Sequence, residues 1–264
     1  MSFYAPEGAE LIEVMKVRGD ERARRMDLVV HEAIYAIKLN GTRVASLACT
    51  PSDLESLAVG YLQSERIIVS SADVRSLLVK RGERSIEVVV RDGPDPSTVE
   101  RLGTIVSGCG SGRSSVERPL ELLRAWRISS RLTVPASTVV ALMRSFQGAS
   151  ALFRSTGGIH SAAICEPSGL IIFKEDIGRH NAVDKVLGEC LLKGVSTKDK
   201  ILLTTGRVSS DVLIKAALRE IPIVASRSAP THLAIKAAGA TGLTLVGFVR
   251  GEGMNIYANE WRIS

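Results

Sequence analysis

The last quarter of the chain restricts its fold more than any other stretch. Lys200 to Thr204, Ser210 to Glu220, Ile221 to Ser226, Pro230 to Ala238 and Leu243 to Phe248 read as strand, helix, strand, helix, strand. Such alternation implies a sheet with parallel strands covered by helices. Ligands of open α/β sheets sit beyond the carboxyl ends of the strands, so chemistry is sought at those ends. Just upstream, Val134-Pro135 opens a helix to about Gln147, and Ser161 to Cys165 pairs with Leu170 to Lys174 around Glu166-Pro167-Ser168-Gly169. A helix from about Arg179 to Lys193 then places Val183, Val186, Leu187, Cys190 and Leu191 on its buried face.

The first part of the chain has a different texture. An apolar stretch from Leu11 to Val17 leads into the charged run Arg18 to Arg25, which reads as a solvated loop. Two β-like runs, Leu28 to Leu39 and Val44 to Cys49, flank Asn40-Gly41, the dipeptide of a tight hairpin turn. Thr50-Pro51-Ser52-Asp53 starts a helix, with Thr50 as cap and Pro51 at the first helical position; Leu54, Leu57, Ala58, Tyr61 and Leu62 lie on one face. Ser85 to Arg91 reads as a further strand. From Asp92 to Pro119 the apolar periodicity stops, and Ser107-Gly108-Cys109-Gly110-Ser111-Gly112 has the composition of a linker or lid. A chain of 264 residues suits two domains at roughly 150 residues each. The expected division is an α+β domain over 1–118 and an α/β domain over 119–264.

Composition excludes several classes of function. Hydrophobic residues make up 45% and charged residues 23%, which is globular rather than disordered usage. The formal charge of +6 suits an anionic partner, but aromatics at 4% are too few for a surface that stacks nucleic-acid bases. Cysteines at 49, 109, 165 and 190 include no pair at metal-knuckle spacing, so no metal site is expected. The first residues do not read as a secretory leader, and no apolar run approaches the ~18 residues that span a bilayer. A cytoplasmic protein that contacts neither membrane nor nucleic acid is expected.

Three strand-end clusters combine glycine with arginine: Asp176-Ile177-Gly178-Arg179-His180-Asn181-Ala182-Val183-Asp184-Lys185, Thr204-Thr205-Gly206-Arg207-Val208-Ser209-Ser210, and Phe248-Val249-Arg250-Gly251-Glu252-Gly253. Glycine lets backbone amides approach a phosphate, a helix N-terminus adds positive potential, and arginine supplies a fork of donors. Together they describe an anion pocket along one sheet edge; singly, each is also an ordinary turn with a solvent-facing arginine. His180, beside Arg179 and Asn181, is the histidine expected to meet a ligand. His160 reads first as a hydrogen-bonded core residue. Cys49, Cys165 and Cys190 belong to apolar elements and read as inert. Cys109, among glycines and serines with Arg113 nearby to favour its thiolate, reads as the reactive thiol.

Read together, Cys109 and its glycines, Thr156 to Ala162, the Asp176 to Lys185 run, Thr205 to Ser209 and Gly247 to Gly251 resemble the formate dehydrogenase accessory sulfurtransferases, the FdhD/NarQ family. The resemblance extends from the Leu28 hairpin to Trp261. It implies a C-terminal cytidine-deaminase-like, three-layer domain with a mixed sheet, beside a smaller N-terminal α+β domain. It also implies a homodimer that moves sulfur from a cysteine desulfurase to the bis-molybdopterin guanine dinucleotide cofactor required by formate dehydrogenase. The sulfur would travel as a persulfide on Cys109, the first position of the family's Cys-x-x-Cys loop. The second position here is Gly112, and a persulfide needs only one sulfur. The cofactor, bound as substrate, would meet Phe248, Val249, Arg250, Gly251, Glu252 and Gly253, with Arg179, His180, Gly206 and Arg207 completing the pocket.

Two other classes compete. A zinc deaminase needs a His-x-Glu helix start and a cysteine pair, whereas His160-Ser161-Ala162 lacks the glutamate. A non-catalytic chaperone would hold the guanine dinucleotide with Cys109 as a bystander, and a third, bland reading is a generic nucleotide-binding α/β protein.

Overall fold

A computed structural model describes residues 8–91, the backbone of 106–107, and 127–264. The alternating C-terminal pattern forms a six-stranded mixed sheet. Its strands are β8 (His160–Glu166), β9 (Gly169–Asp176), β10 (Ile201–Thr204), β11 (Ile223–Ser226), β12 (Thr244–Arg250) and β13 (Gly253–Ala258), in the order β13-β12-β11-β10-β8-β9. β10, β11 and β12 run parallel, as the crossovers require, and β8 and β13 run antiparallel to their neighbours. Helices α4 (Arg179–Leu192), α5 (Ser210–Leu218) and α6 (His232–Thr241) cover one face, burying Val186, Val212 and Ala237 against Ile164, Leu202 and Leu245. Helix α2 (Ala136–Ala149) covers the other, with Val139, Met143 and Phe146 against Ala163, Leu203 and Val246. The three-layer, mixed-sheet α/β architecture expected from the sequence is present.

The N-terminal part holds a five-stranded sheet, β5-β6-β3-β4-β7. Its strands are β3 (Ala33–Leu39), β4 (Thr42–Cys49), β5 (Val74–Lys80), β6 (Ser85–Val90) and β7 (Val106–Ser107). Helix α1 (Leu54–Ser64) packs Leu54, Leu57, Ala58 and Leu62 onto it. The β3–β4 turn is the expected one, with Asn40 and Gly41 both at positive φ, 47° and 85°.

Three readings are corrected, and three further elements are added. The charged run Arg18 to Arg25 is a strand pair rather than a loop: β1 (Ala9–Arg18) and β2 (Glu21–Val30) form an isolated hairpin turning at Gly19-Asp20. Charge there marks solvated faces of strands, not absence of strands. The run from Leu28 breaks at His31-Glu32, so β2 and β3 belong to different sheets. Thr50 does not cap α1; Asp53 occupies the cap position, in the left-handed region at φ 49°, and Thr50 is used elsewhere. Strand β5, helix α3 (Ala151–Thr156) and strand β13 were not anticipated. The expected boundary at 118 lies outside the described residues, with the two large sheets on either side of it.

Helix α1 also packs along α4, joining the two parts. Glycines permit the crossing. A Cβ on Gly60 would lie 1.9 Å from the Asp184 carbonyl oxygen, and one on Gly188 would lie 1.9 Å from that of Ser56. Side chains then fasten it: Ser56 Oγ donates to Glu189, and Ser64 Oγ and Lys215 Nζ both donate to Asp184.

Candidate functional site

The polar strand ends converge on one edge of the six-stranded sheet, as the topology demands. The carboxyl ends of β9, β10, β11 and β12 and the start of β8 all lie there. A cavity of about 640 Å³ opens at this edge. Its apolar wall includes Phe146 of α2, Phe153 of α3, Ile159 and Ile177. Its polar wall carries Arg154, Arg227, Arg250, His160 and Thr205, and no carboxylate is among the lining residues.

The arginines are braced by backbone. Arg250 Nε donates to the Arg227 carbonyl at 3.0 Å, and its guanidinium carbon lies 5.3 Å from the centre of the Phe248 ring. Phe248 sits at φ 52° where the β12–β13 ladder slips register, in the irregularity between Gly247 and Arg250. Beneath the cavity, Ser150 and Ser161 both donate to the Glu175 carboxylate, whose pKa is raised by burial.

His160 opens β8 and faces Thr205. The Thr205 hydroxyl oxygen accepts from the Ser161 amide at 3.0 Å and lies 3.2 Å from His160 Nδ1, within hydrogen-bond distance. In either tautomer the neutral ring carries one N–H donor and one acceptor nitrogen. Burial, and then the nearby Arg179 charge, lower the His160 pKa, so the ring is neutral at neutral pH.

Of the ten expected cofactor contacts, Arg250 lines the cavity directly. Phe248, Gly251, Glu252 and Gly253 are exposed on the adjoining β12–β13 turn, while the Val249 side chain is buried in the core under α2. Gly206 is buried against Arg179: a Cβ there would lie 2.7 Å from the arginine's own Cβ. Arg207 is exposed. His180 is buried, with Nε2 3.1 Å from Ser209 Oγ. Burial, helped by Lys215 and Arg179, lowers its pKa to about 3, so it is held neutral.

The ten-residue Asp176 to Lys185 run proves to be largely a clasp. Asp176 and Lys185 form an ion pair at 2.7 Å with both side chains 0% exposed. The Asp176 carboxylate accepts from the amides of Thr50 and Gly178 and from Asn181 Nδ2. Lys185 Nζ donates to the carbonyls of Thr50 and Glu175. Thr50 Oγ1 in turn accepts from the amide of Ile177, a residue of the cavity wall. The end of β4 is thereby tied to the floor of the cleft.

His160 and Arg227 were not singled out as ligand contacts. Arg227 follows β11 as Arg207 and Arg250 mark β10 and β12, so the strand-end rule applied evenly would have reached it. Arg154 and Phe153 lie on α3, whose short pattern gave no signal.

Cys109, with Arg113, lies outside the described residues. The other three thiols are buried, and burial pushes Cys49 and Cys165 up to about 12 and Cys190 to about 11. None offers a thiolate at neutral pH, as expected of core cysteines. Among the described residues no group of three or more His, Cys, Asp or Glu side chains is placed to hold a metal ion. Nor is any helix among them long and apolar enough to cross a membrane.

Comparison with known proteins agrees with this geometry. The family model described as the FdhD/NarQ family matches residues 30–264. The chain is 36% identical over 255 residues to a protein of Bacillus subtilis (strain 168) named sulfur carrier protein FdhD, covering 95% of this chain and 96% of that one. A protein of the same name from Bacillus pumilus (strain SAFR-032) is 39% identical over 241 residues, covering 91% and 92%. The crystal structure of a formate dehydrogenase accessory protein, described as putative, from Desulfotalea psychrophila superposes with a TM-score of 0.80 at 28% identity, over 97% of this chain and 99% of that one.

Proposed function

The chain belongs to the FdhD/NarQ family, and from that premise we propose that it is a cytoplasmic sulfur carrier for formate dehydrogenase maturation. Cys109 takes the outer sulfur of a cysteine desulfurase's persulfide: its thiolate attacks that sulfur, the donor's S–S bond breaks, and the donor thiolate leaves. In the second step two equivalents of an external thiol reductant cleave the Cys109 S–S bond and are oxidised to a disulfide, the sulfur leaves at the sulfide level for the bis-molybdopterin guanine dinucleotide bound as substrate, and Cys109 returns as a thiol. The carrier works as a homodimer.

The observation that carries this reading is the state of the other thiols. Three of four are sealed in the core as protonated, unreactive groups, which leaves Cys109 to carry sulfur. The cleft supports the same reading. A guanine dinucleotide presents a flat heteroaromatic ring and several phosphates, and this cavity offers the exposed Phe153 ring together with Arg154, Arg227 and Arg250. Arg250 and Arg227 hold phosphate oxygens, and neutral His160 adds one N–H donor.

The test is mass spectrometry of the protein after incubation with a cysteine desulfurase and cysteine. A one-sulfur adduct is expected on the peptide containing Cys109 and on no other. The Cys109→Ala variant should lose support of formate dehydrogenase activity while still binding a guanine nucleotide. Full activity in that variant would favour the chaperone reading.

A further inference from the structure

The β1–β2 hairpin stands apart from the rest of the fold. It precedes almost all of the residues matched by the family model and forms a two-stranded sheet that pairs with no other strand among the described residues. Among the described residues it meets the body at its base, where Val30 closes on Gly158 and β2 packs by α3. Further out, Met15, Val17 and Met26 are 53%, 55% and 60% exposed. A two-stranded ribbon is marginal in water; three or more strands are needed for independent stability. Exposed apolar side chains along a free edge mark a surface that another strand covers.

The charge pattern selects the occupant. Residues 9–30 hold five acidic and five basic side chains, so the hairpin has no net attraction for an acidic or a basic partner. Within β1, however, the charges are ordered: Glu10 and Glu13 lie in the first half, Lys16 and Arg18 in the second. Such a strand is complementary to itself run backwards. We infer that β1 pairs antiparallel with β1 of a second copy about a two-fold axis at Val14, making one four-stranded sheet. In that register Glu10 faces Arg18, Leu11 faces Val17 and Val14 faces itself, and each off-axis pair occurs twice. The other edge fails the same comparison. Pairing β2 with itself about Arg24 would set Glu21 against Asp27 and Arg24 against Arg24. The inference gives a surface to the homodimer proposed above, on which it rests, and is independent of the sulfur chemistry.

Sedimentation of the full chain at micromolar concentration, with cysteine cross-linking, tests it. The wild type should sediment as a dimer. Arg18→Glu should weaken the dimer by about tenfold, because two like-charge pairs replace two opposite ones, and the double variant Glu10→Arg with Arg18→Glu should restore it. Under mild oxidation Val14→Cys should form a covalent dimer, since facing residues of antiparallel strands lie within disulfide reach. Lys16→Cys, about 13 Å from its mate by strand rise, should not. A monomeric wild type would overturn both the dimer and this surface. A dimer that ignores Arg18→Glu, or that cross-links at Lys16→Cys but not at Val14→Cys, would overturn this surface alone.

Discussion

Single residues near the cleft are held by burial more than by exposed charge. Lys185 and Asp176 are the extreme case, a fully buried pair whose remaining donors and acceptors are almost all used by backbone. Lys185→Met leaves a buried carboxylate without its cation, so we expect about 3–5 kcal/mol of lost stability in urea unfolding. Replacing both, as Asp176→Leu with Lys185→Met, should cost less than Lys185→Met alone. His180 gives a pH signature. Its folded pKa, near 3, lies below the ordinary value of 6.5, so only the unfolded chain takes its proton between those limits. Its contribution is full above pH 6.5 and declines as pH falls, by up to about 1.4 kcal/mol per unit. The stability difference between wild type and His180→Gln should therefore shrink as pH falls from 6.5 toward 4; a constant difference would refute the neutral, buried assignment. At the cleft, Arg227→Ala should weaken guanine-nucleotide binding about tenfold or more, as loss of a charged hydrogen bond implies, measured by calorimetry. The sequence pointed to Arg250 by its strand end. It could not show that the His180 ring is buried beside Ser209, because adjacency to Arg179 says nothing of which way a helical side chain turns.

Elements were legible where period and turn chemistry agreed. Asn40-Gly41 and the alternation from Lys200 onward specified β3–β4 and β10 to β12 closely, whereas Val74 to Lys80 mixes exposed and half-buried positions too irregularly to show a strand. The α1–α4 crossing was illegible because its cause is a pair of glycines far apart in sequence. Gly188 is an unfavourable helix residue in isolation, and Gly→Ala in a helix should stabilise by about 1 kcal/mol. Here the added methyl would lie 1.9 Å from the Ser56 carbonyl oxygen, backbone against side chain with no rotamer to relieve it. Overpacking costs typically about 1–3 kcal/mol, and more where backbone must move, so the clash outweighs propensity. Gly188→Ala and Gly60→Ala should each lower the urea midpoint, whereas Gly148→Ala, with open space at its Cβ, should not.

At the scale of the molecule, a two-domain division invites the expectation of two units that open separately. The packing argues otherwise. Leu191, on helix α4 of the C-terminal layer, belongs to the N-terminal core with Leu57 and Ile86. The clasp cannot part without stripping the buried Asp176–Lys185 pair of its two Thr50 backbone partners and leaving the Thr50 amide and carbonyl unpaired. Composition could divide the chain, since the linker-like segment is visible as glycine, serine and proline, but it could not show that the two sheets share a helix pair. Opening the N-terminal sheet alone would expose to water the apolar surface that α1 and α4 bury against each other, Leu191 included, and would break their side-chain bonds. The amides of α1 and α4 should therefore exchange hydrogen with one common free energy and one common dependence on denaturant. If α1 exchanges by a much cheaper opening while α4 stays protected, the seam is an ordinary domain interface, and Ile177 is held in the cleft wall without help from Thr50.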